Sequence, residues 1–239
     1  MIQAILSNKA GRNFLSNQFY WKDLFSASED SLTSTLFGTL LYLPRELFWR
    51  ILRGAIYECG IEGLESEIVH IEFWPHWITS NSTNKIYIEP DLFIRTSNYD
   101  LIIEAKRYDF DQQNKFQWEN QFKEYLNQYG YEKKAYLLAV GGITNESKEE
   151  LVDGGYAIEV YKTRWHRILY EVKRIAHTYE TKREFFDPTY LALKDIIEGF
   201  KLHGYITCEW FEDICLFENK NIHESSIKYL IDSPYKNHN

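Results

Sequence analysis

Apolar positions along this 239-residue chain change their period several times, and each change marks an element. Leu32, Leu36, Phe37, Leu40 and Leu41 recur at helical spacing and stop at Pro44, which predicts a helix over about 28–43. A second helix, 45–59, begins after Pro44, turns Leu47, Phe48, Ile51, Leu52, Ala55 and Ile56 inward, and stops near Gly60. Over 67–73 the period drops to two, with Val69, Ile71 and Phe73 on one face of a strand. Strands are expected next at about 86–94 and 99–106, the latter holding the aliphatic run Leu101-Ile102-Ile103. Asp111 is the expected cap of a helix over 112–129 that buries Trp118, Phe122, Leu126 and Tyr129 and ends at Gly130. A strand at 134–140, a short helix near 147–152 and a strand at 157–161 follow. Thr163–Tyr179 reads as a helix with Ile168, Val172, Ile175 and Tyr179 inward, and Asp187-Pro188 starts another that ends near Gly204. Residues 205–217 are apolar and aromatic, the tail after Glu218 is polar, and residues 1–25 give no assignable pattern. The order predicts an α/β fold: helix, three strands, helix, strand, strand.

One break in this pattern carries chemistry. Leu101-Ile102-Ile103 should be buried, yet it runs straight into Glu104 and Lys106. Charges at the end of a buried strand are costly unless they are paired or hold a cation. At the strand period the two share a face, roughly 6–7 Å apart. If 86–94 and 99–106 form a hairpin about Ser97-Asn98, residues whose numbers sum to a constant lie opposite, and Asp91 then faces Glu104. Two carboxylates with a lysine two residues on suit a hard cation and an activated water. Acid-x-Lys pairs also occur elsewhere, as at Glu132/Lys134 and Glu171/Lys173, but in polar surroundings that read as solvated faces.

In this context Pro90-Asp91 followed by Glu104-Ala105-Lys106 resembles the PD-(D/E)xK nuclease superfamily, the restriction-endonuclease-like enzymes. Gln121-Phe122-Lys123-Glu124-Tyr125 on the next helix is similar to the Gln-x-x-x-Tyr element of the RecB-type branch. The resemblance implies a restriction-endonuclease-like αβββαβ core, a mixed central sheet flanked by helices. It implies that Asp91 and Glu104 are ligands of Mg²⁺, for which Mn²⁺ substitutes, with the backbone carbonyl of Ala105 as a further ligand. Lys106 would position the attacking water, and Gln121 and Tyr125 would orient Lys106 or contact the phosphate. Many members add an acid from the helix before the sheet, and Glu29 is that candidate, since positions 29, 32, 36 and 40 form one stripe. Ser26-Ala27-Ser28-Glu29 also fits a capping box, in which the glutamate serves only the first turn. Glu67 is the reserve candidate.

Composition sets the bounds. The chain has 44% hydrophobic and 17% aromatic residues, enough for a large core. The expected division is a nuclease core with N-terminal helices over 1–162 and a helical extension packed on it over 163–239. The apolar runs fall short of a membrane span, no secretory signal is visible, and Cys59, Cys208 and Cys215 form no CxxC, which favours a cytoplasmic setting. A zinc site from His203, Cys208 and Cys215 fits no standard spacing. No Walker-type loop, GxSxG, HExxH or GxGxxG supports another enzyme class. The formal net charge of −8 is unusual for a protein that binds polyanions and favours a partner subunit or homo-oligomer. Basic residues do gather over 162–183, where Arg164, Arg167, Lys173 and Arg174 are the candidates for a DNA path. The expected function is Mg²⁺-dependent hydrolysis of DNA phosphodiester bonds, with RNA not set aside, in phage defence or restriction, repair or mobile-element processing. The alternative is a catalytically inactive nuclease-fold module that binds nucleic acid or a partner protein.

Overall fold

The computed structural model describes residues 21–78 and 87–206. Expectations for residues 1–20, for 207–217, for the polar tail and for Cys208 and Cys215 fall outside the described residues. The chain divides into a unit over 1–205 and a second beginning at Ile206; the architecture below is that of the first.

The first unit is α/β, built on a mixed six-stranded sheet with helices on both faces. The helices are α1 (Trp21–Ala27), α2 (Glu29–Leu40), α3 (Arg45–Ala55), α4 (Lys115–Tyr129), α5 (Trp165–Lys182) and α6 (Pro188–Leu202). The strands are β1 (Ile68–Phe73), β2 (Trp77–Ile78), β3 (Tyr87–Ile88), β4 (Leu92–Thr96), β5 (Tyr99–Ala105), β6 (Lys134–Val140), β7 (Glu149–Asp153) and β8 (Tyr156–Thr163). The sheet order is β1-β4-β5-β6-β8-β7, with β2 and β3 forming a separate ribbon. Strands β5, β6 and β8 run parallel, and the remaining neighbours are antiparallel. The ends of the three parallel strands, at Ala105, Val140 and Thr163, therefore lie at one edge of the sheet.

β5 is buried along its whole length because both of its faces are covered. Leu101, Ile103 and Ala105 join one core with Leu92, Ile94, Tyr136 and Leu138 and with side chains of α2, α3, α5 and α6. Ile102 turns the other way, into a second core with Phe93, Leu137 and Val160 and with Trp118, Phe122 and Tyr125 of α4. The two-residue period thus decides which charges of β5 meet α4: Asp100 and Glu104, on the side of Ile102.

The β4–β5 hairpin has the expected register, with Leu92 opposite Ile103 and Arg95 opposite Asp100. Its Ser97-Asn98 turn has no positive φ. Instead the Thr96 hydroxyl accepts from the Asn98 and Tyr99 N–H groups and donates to the Tyr99 carbonyl at 2.7 Å. Other expectations are corrected. The strand expected over 86–94 is interrupted at Glu89-Pro90, where proline has no N–H for a ladder, so β3 and β4 are separate. Residues 149–153 form edge strand β7 against β8, and not a short helix. The second helix stops at Ala55, not 59, because Ile56 is extended. Helix α4 starts at Lys115 because Asn114, not Asp111, accepts the capping N–H; Asp111 itself has φ 55°. Helices α5 and α6 pack into the same core as the sheet.

Candidate active site at the end of the central strand

Where β5 ends, the sequence places an acid, an alanine and a lysine, and the fold brings three further elements to them. By continuation of the hairpin register Asp91 lies across from Glu104, and its Oδ2 accepts the Ala105 N–H at 2.7 Å. No described residue donates to its other oxygen. Asp91 is 8% exposed and Glu104 2% exposed. Burial and then the facing Glu104 carboxylate push Asp91 up to about 7, against opposing pulls from the Ala105 N–H and Lys106. Burial also raises Glu104, although Lys106 and Gln121 hydrogen bonds oppose it.

Glu104 is the hub. Lys106 Nζ donates to its Oε1, Gln117 Nε2 donates to the same oxygen at 2.6 Å, and Gln121 Nε2 donates to Oε2. Gln117 and Gln121 are four apart on α4 and so share the helix face that looks onto β5. Gln121 is 1% exposed, and its carbonyl Oε1 has no partner among the described residues. Lys106 lies one residue past β5, from where it also reaches Glu29 Oε1 at 3.5 Å. Burial pulls the Lys106 ammonium down, but the Glu104, Glu29 and Asp91 carboxylates outweigh it and hold the lysine above its ordinary value. Lys106 is therefore held as a cation, donating to Glu104 and pairing with Glu29.

Glu29 does not cap its helix. Ser28 is the N-cap, accepting from the Ser31 N–H at 3.2 Å, while Glu29 Oε2 accepts the Arg107 N–H at 2.7 Å. Glu67 is exposed, and its carbonyl accepts from the Ser97 N–H at the far end of the hairpin, away from this cluster. Tyr125 is also separated from Lys106: its hydroxyl donates to Asp100 Oδ2 at 3.1 Å, and the fully buried Asp100 also pairs with Lys133 at 2.8 Å and Arg95 at 3.3 Å. The two halves of the Gln-x-x-x-Tyr element thus serve two different carboxylates of β5.

The basic stretch has internal partners. Arg164 donates to Tyr57 at 3.0 Å and Glu146 at 2.5 Å. Arg167 donates to the Ala55 carbonyl at 2.7 Å and the Gly54 carbonyl at 3.2 Å, closing the end of α3. Arg174 pairs with Glu171 of its own helix at 2.6 Å. Lys173 lies beside it on α5. None of these contacts carries the three arginines into the Asp91–Glu104–Lys106 cluster.

Sequence reasoning missed the supports behind the cluster. Gln113 Nε2 donates to the Glu104 carbonyl at 3.0 Å and the Gly141 carbonyl at 3.2 Å, and its Oε1 accepts from Trp118 Nε1 at 2.8 Å. Gly141 has φ 68°, and a Cβ there would stand 2.6 Å from the Lys106 carbonyl; at Gly142 it would stand 2.8 Å from Lys106 Cβ. The Gly141-Gly142 pair after β6 was the available signal, since paired glycines mark close backbone approach.

The carboxylate oxygens of Asp91, Glu104 and Glu29 are hard donors of the kind that hold Mg²⁺. Against this, among the described residues no three His, Cys, Asp or Glu side chains are already disposed as a metal cage. Lys106 stands where it neutralises Glu104 and Glu29 together. The carboxylates of Asp91, Glu104 and Glu29 fit a divalent cation in chemistry, and the buried Gln121 carbonyl has no partner among the described residues.

No family model matches the chain. An uncharacterized protein of Pasteurella multocida strain Pm70 is 28% identical over 253 residues, covering 98% of this chain and 93% of that protein. Among solved structures, a chain from the assembly of Thermococcus gammatolerans McrB AAA+ hexamers with bound McrC aligns with 65% of this chain and 30% of its own length. That alignment has 12% identity and a TM-score of 0.26, a likeness too slight to bear on fold or function. No helix among the described residues is long and apolar enough to cross a membrane.

Proposed function

We propose that the chain is a Mg²⁺-dependent nuclease of the PD-(D/E)xK type that hydrolyses DNA phosphodiester bonds, working in the cytoplasm. The observation that carries this reading is the convergence of Asp91, Glu104 and Lys106 at the end of a buried strand, with Glu29 reaching in from α2. Asp91, Glu104 and the Ala105 carbonyl would hold the cation, with Glu29 as a further carboxylate. When bound, Mg²⁺ (or Mn²⁺) supplies positive charge against the scissile phosphate and lowers the pKa of water. Lys106, charged and held in place by Glu104, orients the attacking water and shares the phosphate charge. Gln117 and Gln121 fix the Glu104 carboxylate, and through it the position of Lys106. Tyr125 acts one step removed, by holding α4 to β5 through Asp100.

One observation favours a second reading, a catalytically inactive nuclease-fold module that binds nucleic acid or a partner protein. Both oxygens of Glu104 already carry protein donors, so its carboxylate is satisfied as a structural ion pair with Lys106. A cleavage assay on labelled DNA with Mg²⁺ or EDTA separates the two. Wild type should cut only with Mg²⁺, and Lys106→Ala should lose cutting at unchanged circular dichroism. Undiminished cutting by pure Lys106→Ala protein would overturn the nuclease reading as written.

A further inference from the structure

The loop that follows Lys106 shows two large aromatic rings to solvent, Tyr108 at 63% and Phe110 at 60% exposure. Single exposed apolar residues are ordinary on protein surfaces. These two differ in three respects. They sit two and four residues after the lysine of the candidate site. Their loop is anchored at Tyr108 and just past Phe110: Tyr108 N–H donates to Gln112 Oε1 at 2.7 Å, Gly142 N–H donates to the Tyr108 carbonyl at 2.6 Å, and the Gln112 and Gln113 N–H groups both donate to the Gly142 carbonyl at 2.9 Å. Each ring also has a guanidinium over it, Arg107 at 5.2 Å from Tyr108 and Arg164 at 4.6 Å from Phe110.

A loop anchored on both sides of two rings that face water matches what unpaired bases require. Bases stack on the open faces of aromatic side chains, whatever the base sequence. In a duplex the base faces are hidden in the stack, so such rings gain nothing from it.

We infer that Tyr108 and Phe110 form a stacking platform for single-stranded DNA, which delivers an unpaired strand to the Asp91–Glu104–Lys106 site. The inference rests on the nuclease reading for what happens after delivery, but not for binding itself. The full chain carrying Lys106→Ala is the parent for the test, so that bound strands stay intact. Fluorescence anisotropy would compare a labelled oligothymidylate of roughly 20 nucleotides, which spans more than one stacking site, with a hairpin duplex of equal length. The strand should bind at least about tenfold more tightly than the duplex, and adding Tyr108→Ala and Phe110→Ala should remove about tenfold or more of strand affinity while leaving duplex affinity within about twofold. Equal affinity of the parent for strand and duplex, or unchanged strand affinity after removal of both rings, would overturn the platform. Melting temperature checks that the alanine variant folds. If it does not, Tyr108→Trp and Phe110→Trp in the same parent should keep strand affinity and show tryptophan quenching by bound bases, and absent quenching overturns the inference equally. Cleavage by chains that retain Lys106 is measured alongside. No cleavage with ring-dependent strand binding removes the nuclease reading and leaves the platform; cleavage at an unchanged rate without the rings does the reverse.

Discussion

Asp91 exchanges water for one backbone donor and a facing carboxylate, and this has a consequence for stability. Its folded value of about 7 lies above the ordinary 3.8, so between those limits the folded chain holds more proton than the unfolded one. Stability of the metal-free protein should therefore fall as pH rises through that window, by up to about 1.4 kcal/mol per pH unit, and level off above it. Glu104, raised by burial, adds to the same slope. Urea melts in EDTA at successive pH values should show this fall, and Asp91→Asn should flatten it and be more stable than wild type at pH 8. A parallel slope in the variant would mean that Asp91 is not the group being titrated. Tyr125 makes the opposite kind of contact, a hydroxyl spent on a buried carboxylate that two cations already neutralise. Tyr125→Phe should cost about 1 kcal/mol in denaturation and keep cleavage, whereas Gln121→Ala should lower cleavage by releasing Glu104. Loss of cleavage in Tyr125→Phe at full stability would put the phenol in the chemistry after all.

At the scale of elements, the start of α2 separates two residues that sequence alone blends. Ser28 caps, and Glu29 reaches across 78 positions to the Arg107 N–H. Ser28→Ala should cost about 1 kcal/mol of stability and leave the metal response intact. Glu29→Gln should keep the cap but reduce the rise in melting temperature that Mn²⁺ gives wild type. Equal effects of both variants on the metal response would return Glu29 to a purely local role. The hairpin, its register and the facing of Asp91 and Glu104 were legible because a buried strand has a strict period of two, whereas buried Asp100 was not singled out. The register followed from the position of the turn. Strand β7 was not legible, since Glu149-Glu150-Leu151-Val152-Asp153 buries only Leu151 and owes its form to pairing with β8. The roles of Gln113 and of Asp100 as the partner of Tyr125 were hidden for a related reason: both depend on how α4 and its lead-in lie against β5, which no local pattern states.

For the molecule as a whole, the sheet gathers the ends of β5, β6 and β8 at one edge, and the candidate site, the Gly141-Gly142 loop and the start of α5 all lie there. The net charge of −8 sets the electrostatic problem. Arg164, Arg167 and Arg174 do not resolve it, because they close α3, stack on Tyr57 and Phe110, and pair with Glu171. In the proposed nuclease, positive charge at the site would come mainly from Lys106 and a bound cation, so cleavage would depend on metal for approach as well as for chemistry. The measurement that tests this most directly is the rate of DNA cleavage as Mg²⁺ is titrated from zero, in wild type and in Asp91→Asn. The account predicts no cleavage without metal, a saturable rise in wild type, and at most a trace of activity in Asp91→Asn at any Mg²⁺ concentration. A wild-type rate in Asp91→Asn, or cleavage by wild type that persists in EDTA, would contradict it.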